Sequence, residues 1–146
     1  DQDLYSSDTL TATGTTTFSD AYKSSTAADG DANSAVYITR KVTLANASTA
    51  LKVIFDAIRF NTASIDVYFK TLRADDTSTF DDITWTAMTA DKTVTDSKSR
   101  SDYREYTYES SNLDGFIAFS IKLVMRGTKS TETPMIKDFR AIALAL

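Results

Sequence analysis

Two aspartate doublets, Asp75-Asp76 and Asp81-Asp82, sit in one acidic stretch of this chain. Paired carboxylates can ligate a hard cation or serve as the two acids of glycoside hydrolysis. Hydrolysis needs the carboxyl groups held ~5–9 Å apart, and nothing nearby in sequence fixes such a spacing. The doublets read as solvated loop charges. A second acidic stretch, Asp29-Gly-Asp-Ala-Asn33, opens like a calcium loop. That loop requires glycine at its sixth position and glutamate at its twelfth. Ser34 and Arg40 stand there instead, so the segment reads as a turn. No metal site and no cofactor is expected.

Aromatic residues offer a different chemistry. Trp85, Tyr103, Tyr106 and Tyr108 could form a platform on which sugar rings stack, or an interface with another protein. The plainer reading packs Trp85 between sheets or at one end of a sandwich. Tyr106 and Tyr108 share a parity and face either the core or the polar side of a sheet. Five lysines, Lys41, Lys52, Lys70, Lys122 and Lys137, fall on expected strands. They read as outward charges that keep sheet faces soluble and edges unpaired.

What is missing narrows the function further. The chain has no histidine and no cysteine. Histidine is the commonest general base, so its absence removes the usual hydrolytic triads and argues against an enzyme. Without cysteine there are no disulfides and no thiolate metal sites. The net charge of −4 and the lack of a basic stripe argue against nucleic-acid binding. Lys98-Ser-Arg100 is interrupted by Asp96, Asp102 and Glu105 and reads as a solvated loop. No run approaches the ~18–20 apolar residues of a membrane span.

The elements that would position these residues are strands. Residues 1–33 are rich in Thr, Ser, Ala and Asp and read as an extended arm or linker, with Leu4, Tyr5, Leu10, Phe18 and Tyr22 as anchors. From residue 34 to 146 the pattern becomes that of one domain. Strands are predicted over 35–44, 51–60, 65–72, 84–88, 103–109, 115–125 and 134–144. Asn46–Thr49 and Asn61–Ser64 read as turns, and 73–82 and 89–102 as long loops. Ile65, Val67 and Phe69 alternate with Asp66, Tyr68 and Lys70, the period of a sheet with one wet face. Ile117, Phe119, Ile121, Leu123 and Met125 share a parity, which predicts the most deeply buried strand. With one proline, four glycines and no helical period, the fold class is all-β: an antiparallel β-sandwich or jelly roll with an extended N-terminal arm.

Three segments carry a resemblance. They are Tyr37-Ile-Thr-Arg-Lys-Val-Thr-Leu44; then Leu51-Lys-Val, Ile65-Asp-Val-Tyr-Phe-Lys70 and Phe80-Asp-Asp-x-x-Trp85 with Met88; and Phe119–Met125 followed by Pro134-x-Ile-Lys-Asp-Phe-Arg-Ala-Ile-Ala-Leu144. In order and spacing they resemble virion structural proteins of contractile-tailed phages, including cyanophages. Ile83-Thr84 departs from the proline that often precedes tryptophan there. The arrangement is also similar to galactose-binding-like jelly rolls, a likeness of fold that transfers no sugar site.

The resemblance implies a non-enzymatic assembly module located in the virion, in a baseplate, tail or fibre. Its expected partners are other virion structural proteins and further copies of itself in a symmetric assembly, with no nucleic acid and no membrane. A capsid decoration or head-associated role is one alternative. A glycan-binding module of a tail fibre, meeting a host glycan, is the other.

Overall fold

The structure, a computed structural model, describes residues 35–129 and 131–145. The expected N-terminal arm (1–33) and the calcium-like stretch Asp29–Asn33 lie outside the described residues. Among the described residues eight strands run in order: β1 (Ala35–Ile38), β2 (Val42–Ser48), β3 (Ala50–Ile58), β4 (Ala63–Arg73), β5 (Thr86–Ala87), β6 (Arg104–Ser110), β7 (Phe116–Gly127) and β8 (Met135–Leu144). A single 3-10 turn, Phe80–Asp82, lies between β4 and β5, and no α-helix occurs among the described residues. The chain is an antiparallel β-sandwich, as its alternation predicts.

One sheet has β7 at its centre. β4 pairs along one side of β7, with β5 beyond it, and β1 and β2 share the other side end to end. The second sheet is β6-β3-β8. The single predicted strand over 35–44 is therefore two, broken at Thr39–Lys41. There the Thr39 hydroxyl accepts from the Ile121 amide (3.0 Å), and the Ser120 hydroxyl donates to the Thr39 carbonyl (2.9 Å). The predicted turn at Asn46–Thr49 also shrinks. β2 continues to Ser48, and only Thr49 separates it from β3, so the chain crosses between sheets in one residue. The Thr49 amide donates to the Leu144 carbonyl (2.8 Å), which anchors that crossing to β8.

Leu51, Val53, Phe55 and Ala57 of β3 meet Ile65, Val67 and Phe69 of β4, and Phe119, Ile121 and Leu123 of β7, in one core. All follow the period of two that places alternate side chains on one face. Phe55, fully buried, stacks between Tyr106 (centroids 5.5 Å) and Tyr108 (5.8 Å) of the neighbouring strand. Burial pushes the Tyr108 hydroxyl up to about 12 and raises that of Tyr106 as well. Opposite Phe55, β8 carries a bulge: the register jumps from Ile54↔Arg140 to Asp56↔Lys137, and Asp138 takes the left-handed conformation (φ 53°). Bulges bend and twist the strand that carries them.

β7 departs from the sequence reading. Ala118, Ser120, Lys122 and Val124 are buried along with Phe119, Ile121 and Leu123, so both faces of the strand are covered. Alternation reports only one packing partner, and a central strand with a second cover escapes it.

The Phe55 stack supplies a stability test. Replacing a buried phenylalanine with alanine costs about 3–5 kcal/mol through lost transfer energy and the cavity left behind. Phe55→Ala should lower unfolding free energy by that amount in urea titrations. A loss under ~1 kcal/mol would mean that the two tyrosines do not enclose this ring.

Candidate functional site

The outer face of the β7 sheet is covered by the segment that follows β4. Asp75 pairs with Arg73 (3.3 Å), and Asp76 accepts from the Ser78 amide (2.8 Å), which folds the loop back on itself. Hydrogen bonds from the Ser78 hydroxyl and then its amide hold the Asp76 carboxyl below its ordinary value. The 3-10 turn then sets Phe80 against the sheet, and Trp85 follows, 3% exposed. Trp85 thus packs on the outer face rather than between the sheets.

Two lysines lie beneath these rings. Lys122 of β7 is fully buried, its ammonium 4.8 Å from the Trp85 ring and 5.2 Å from Tyr68. Lys70 of β4 is 6% exposed, its ammonium 4.7 Å from Phe80 and 4.8 Å from Trp85. Both were expected to point into solvent, and both instead lie under an aromatic cover. Outward parity on a strand means solvent only if nothing lies over that face. A cation over an aromatic face gains roughly 0.5–2 kcal/mol, more when water is excluded. Lys41, Lys52 and Lys137 stand as expected, at the surface: Lys52 pairs with Glu109 (3.3 Å), and Lys137 lies over Tyr103 (4.2 Å).

A cleft of about 650 Å³ opens beside this cover. It is lined by Thr39 and Lys41 from the break between β1 and β2, by Lys70 and Ser120 from the sheet, and by Asp81 and Asp82 from the turn. Lys41 also lies over the Phe80 ring (5.0 Å to its centroid), so two ammonium groups meet one phenylalanine. Lys70 donates to the Asp81 carbonyl at 3.4 Å, a long contact. Burial lowers its pKa from the ordinary 10.5, and the Asp81 and Asp82 charges oppose that shift. Among the described residues neither Lys41 nor Lys70 forms an ion pair. The cleft thus sets two ammonium groups beside two carboxylates.

The four aromatic candidates do not form one platform. Trp85 covers the outer face, Tyr106 and Tyr108 lie in the core, and Tyr103 is half-buried beside Lys137. Of the two acidic doublets, Asp81-Asp82 reaches the cleft and Asp75-Asp76 shapes the loop. No group of three or more acidic side chains that could hold a metal ion occurs among the described residues. Among them, too, no helix is long and apolar enough to cross a membrane. No protein-family model, curated protein or solved structure matches this chain.

Lys70 gives a pH test. A lysine whose folded pKa lies below its unfolded value binds fewer protons folded than unfolded between the two. Its burial therefore costs stability at neutral pH, and the cost fades as pH climbs through the folded pKa toward 10.5. Lys70→Met removes that cost. The stability difference between wild type and variant should move in favour of wild type as pH rises, read from denaturant melts at a series of pH values. A difference flat in pH would contradict the placement of Lys70.

Proposed function

We propose that this chain is a non-enzymatic structural module of a tailed-phage particle, in the baseplate, tail or fibre apparatus, that assembles through one flank of its sandwich. The observation that carries the assembly reading is a contrast between the two flanks. On the flank beside β5 and β6 the edges are stitched. The Met88 amide donates to the Val67 carbonyl (2.8 Å), the Asp91 amide to Thr107 (2.9 Å) and the Ser97 amide to Arg59 (2.8 Å). Arg59 returns bonds to the Val94 carbonyl (2.9 Å) and to Asp96 (2.7 Å).

The opposite flank joins the β1–β2 edge of one sheet to the β8 edge of the other, with Tyr37 against Phe139 (5.9 Å). It exposes Val36, Tyr37, Ile38, Val42, Met135 and Ile142. An open strand edge with apolar side chains is a template for pairing with another chain. A cluster of such side chains on one flank marks an interaction surface, where scattered single ones would need no explanation. Repetition of one such contact around a symmetry axis would build a stable ring from modest interfaces.

Placement in a phage particle rests on the three strand segments that resemble virion structural proteins. The fibre-tip glycan reading is weaker, because it needs exposed rings and Trp85 is 3% exposed.

Two outcomes test the proposal. Each aliphatic side chain buried at an interface contributes roughly 1.5–3 kcal/mol, so the Val36→Glu, Ile38→Glu double variant should weaken self-association by more than about a hundredfold in sedimentation equilibrium. Equal association of wild type and variant would remove this flank from the account. Mass spectrometry of purified tails separated from heads should find the chain with the tails. Recovery only with heads would favour the capsid alternative.

A further inference from the structure

Lysine is a nucleophile only as the neutral amine. A protein favours that form by desolvating the side chain or by setting it beside another cation. Lys70 meets both conditions. It is 6% exposed, and burial lowers its pKa against the opposing pull of Asp81 and Asp82. In the sheet, Lys70 stands opposite Ser120, and Tyr68 stands opposite Lys122. Lys70 and Lys122 are therefore diagonal neighbours on one face of adjacent strands. Each ammonium lies 4.8 Å from the centroid of the same ring, that of Trp85. Like charges in such proximity disfavour each other's protonation.

Position separates Lys70 from the other two lysines around these rings. Lys122 is fully buried beneath the cover, and Lys41 is exposed. Lys70 alone is both desolvated and part of the wall of the open cleft of about 650 Å³. The Phe80 and Trp85 rings form an apolar collar around its ammonium, at 4.7 and 4.8 Å. Its hydrogen bond to the Asp81 carbonyl is long, at 3.4 Å. Among the described residues no carboxylate comes within ion-pair distance of it, although Asp81 and Asp82 line the same cleft. The amine is held by rings rather than by a salt bridge, with the cleft before it and two carboxylates at its margin.

We propose that this cleft captures small aldehydes covalently, with the Lys70 amine as the nucleophile. The nitrogen lone pair forms a bond to the carbonyl carbon, and the carbonyl π pair moves onto oxygen. The nitrogen loses a proton and the oxygen gains one, which gives a carbinolamine. Protonation of its hydroxyl then expels water as the carbon–nitrogen double bond forms, and the nitrogen keeps no N–H. One aldehyde and one amine give one imine and one water, with no oxidant or reductant. Asp81 and Asp82 line the space in which those protons move, and carboxylates can accept and return them. Ile38, Phe80 and Trp85 offer apolar contact to the rest of the aldehyde. Capture of this kind is stoichiometric, so it belongs to a binding module as well as to an enzyme. It is independent of the flank through which the module is proposed to assemble.

The test treats the full chain with propanal and sodium cyanoborohydride, which reduces an imine to a stable propyl amine. Peptide mass spectrometry follows each lysine over a series of pH values, with free Nα-acetyl-lysine amide in the same tube. The expected result is that Lys70 is propylated first, several-fold faster at neutral pH than Lys41 or Lys137. Its rate should also rise at lower pH than that of the free amide, because its neutral form is reached sooner. Lys70→Arg keeps a cation beside the rings and should lose this fast label with Trp85 emission unchanged. Labelling of Lys41 ahead of Lys70 overturns the inference, since the cleft would then admit aldehyde without presenting this amine. A Lys70 that reacts only after denaturation overturns it as well, and so does a rate–pH curve that coincides with that of the free amide.

Discussion

Lys122 is the constraint around which this structure is arranged. It sits in the middle of the central strand β7 and is fully buried. A buried charge is costly unless the groups around it compensate. Trp85 and Tyr68 present their faces to its ammonium, and Lys70 shares Trp85. The acidic loop after β4 is long because it must bring Phe80 and Trp85 back over the sheet. The outer cover follows from that geometry, and the cleft lies where this cover meets the break between β1 and β2. With both its faces covered, β7 becomes the strand on which the fold depends.

The second organising feature is the inequality of the two flanks. One is closed by backbone hydrogen bonds from the 88–97 stretch and by Arg59. The other has no further strand paired beyond β1, β2 or β8 among the described residues and exposes its aliphatic side chains. A monomer built only to be soluble would blunt such edges with charge, proline or bulges. Here β8 carries a bulge opposite Phe55 and β2 an irregularity between Thr43 and Ser48, yet the apolar residues of the flank stay at the surface. That contrast is the observation on which the proposed assembly role rests.

The strands and their inward faces were legible in the sequence because alternation is a direct record of one-sided burial. Val53, Phe55, Val67, Phe69, Ile121 and Leu123 could all be placed from parity. The outer cover was not legible. Lys70 and Lys122 carry the pattern of solvent-facing lysines, and only the path of the loop holding Phe80 and Trp85 reverses their environment. A signal was present, in that Phe80 and Trp85 are large apolar residues within an otherwise acidic loop. The break at Thr39–Lys41 was hidden for a related reason: it rests on hydrogen bonds to Ser120 and Ile121, far away in sequence. The cleft that follows from it could not be read in advance.

Trp85 is the chain's only tryptophan, so its fluorescence reports on the outer cover without interference. The direct measurement is its emission maximum and its quenching by acrylamide in the native protein and in denaturant. A covered Trp85 packed on Lys70 and Lys122 predicts blue-shifted native emission with quenching several-fold weaker than in the unfolded chain. Native emission and quenching equal to those of the unfolded chain would show that the cover does not form, and the account of β7 would fail with it.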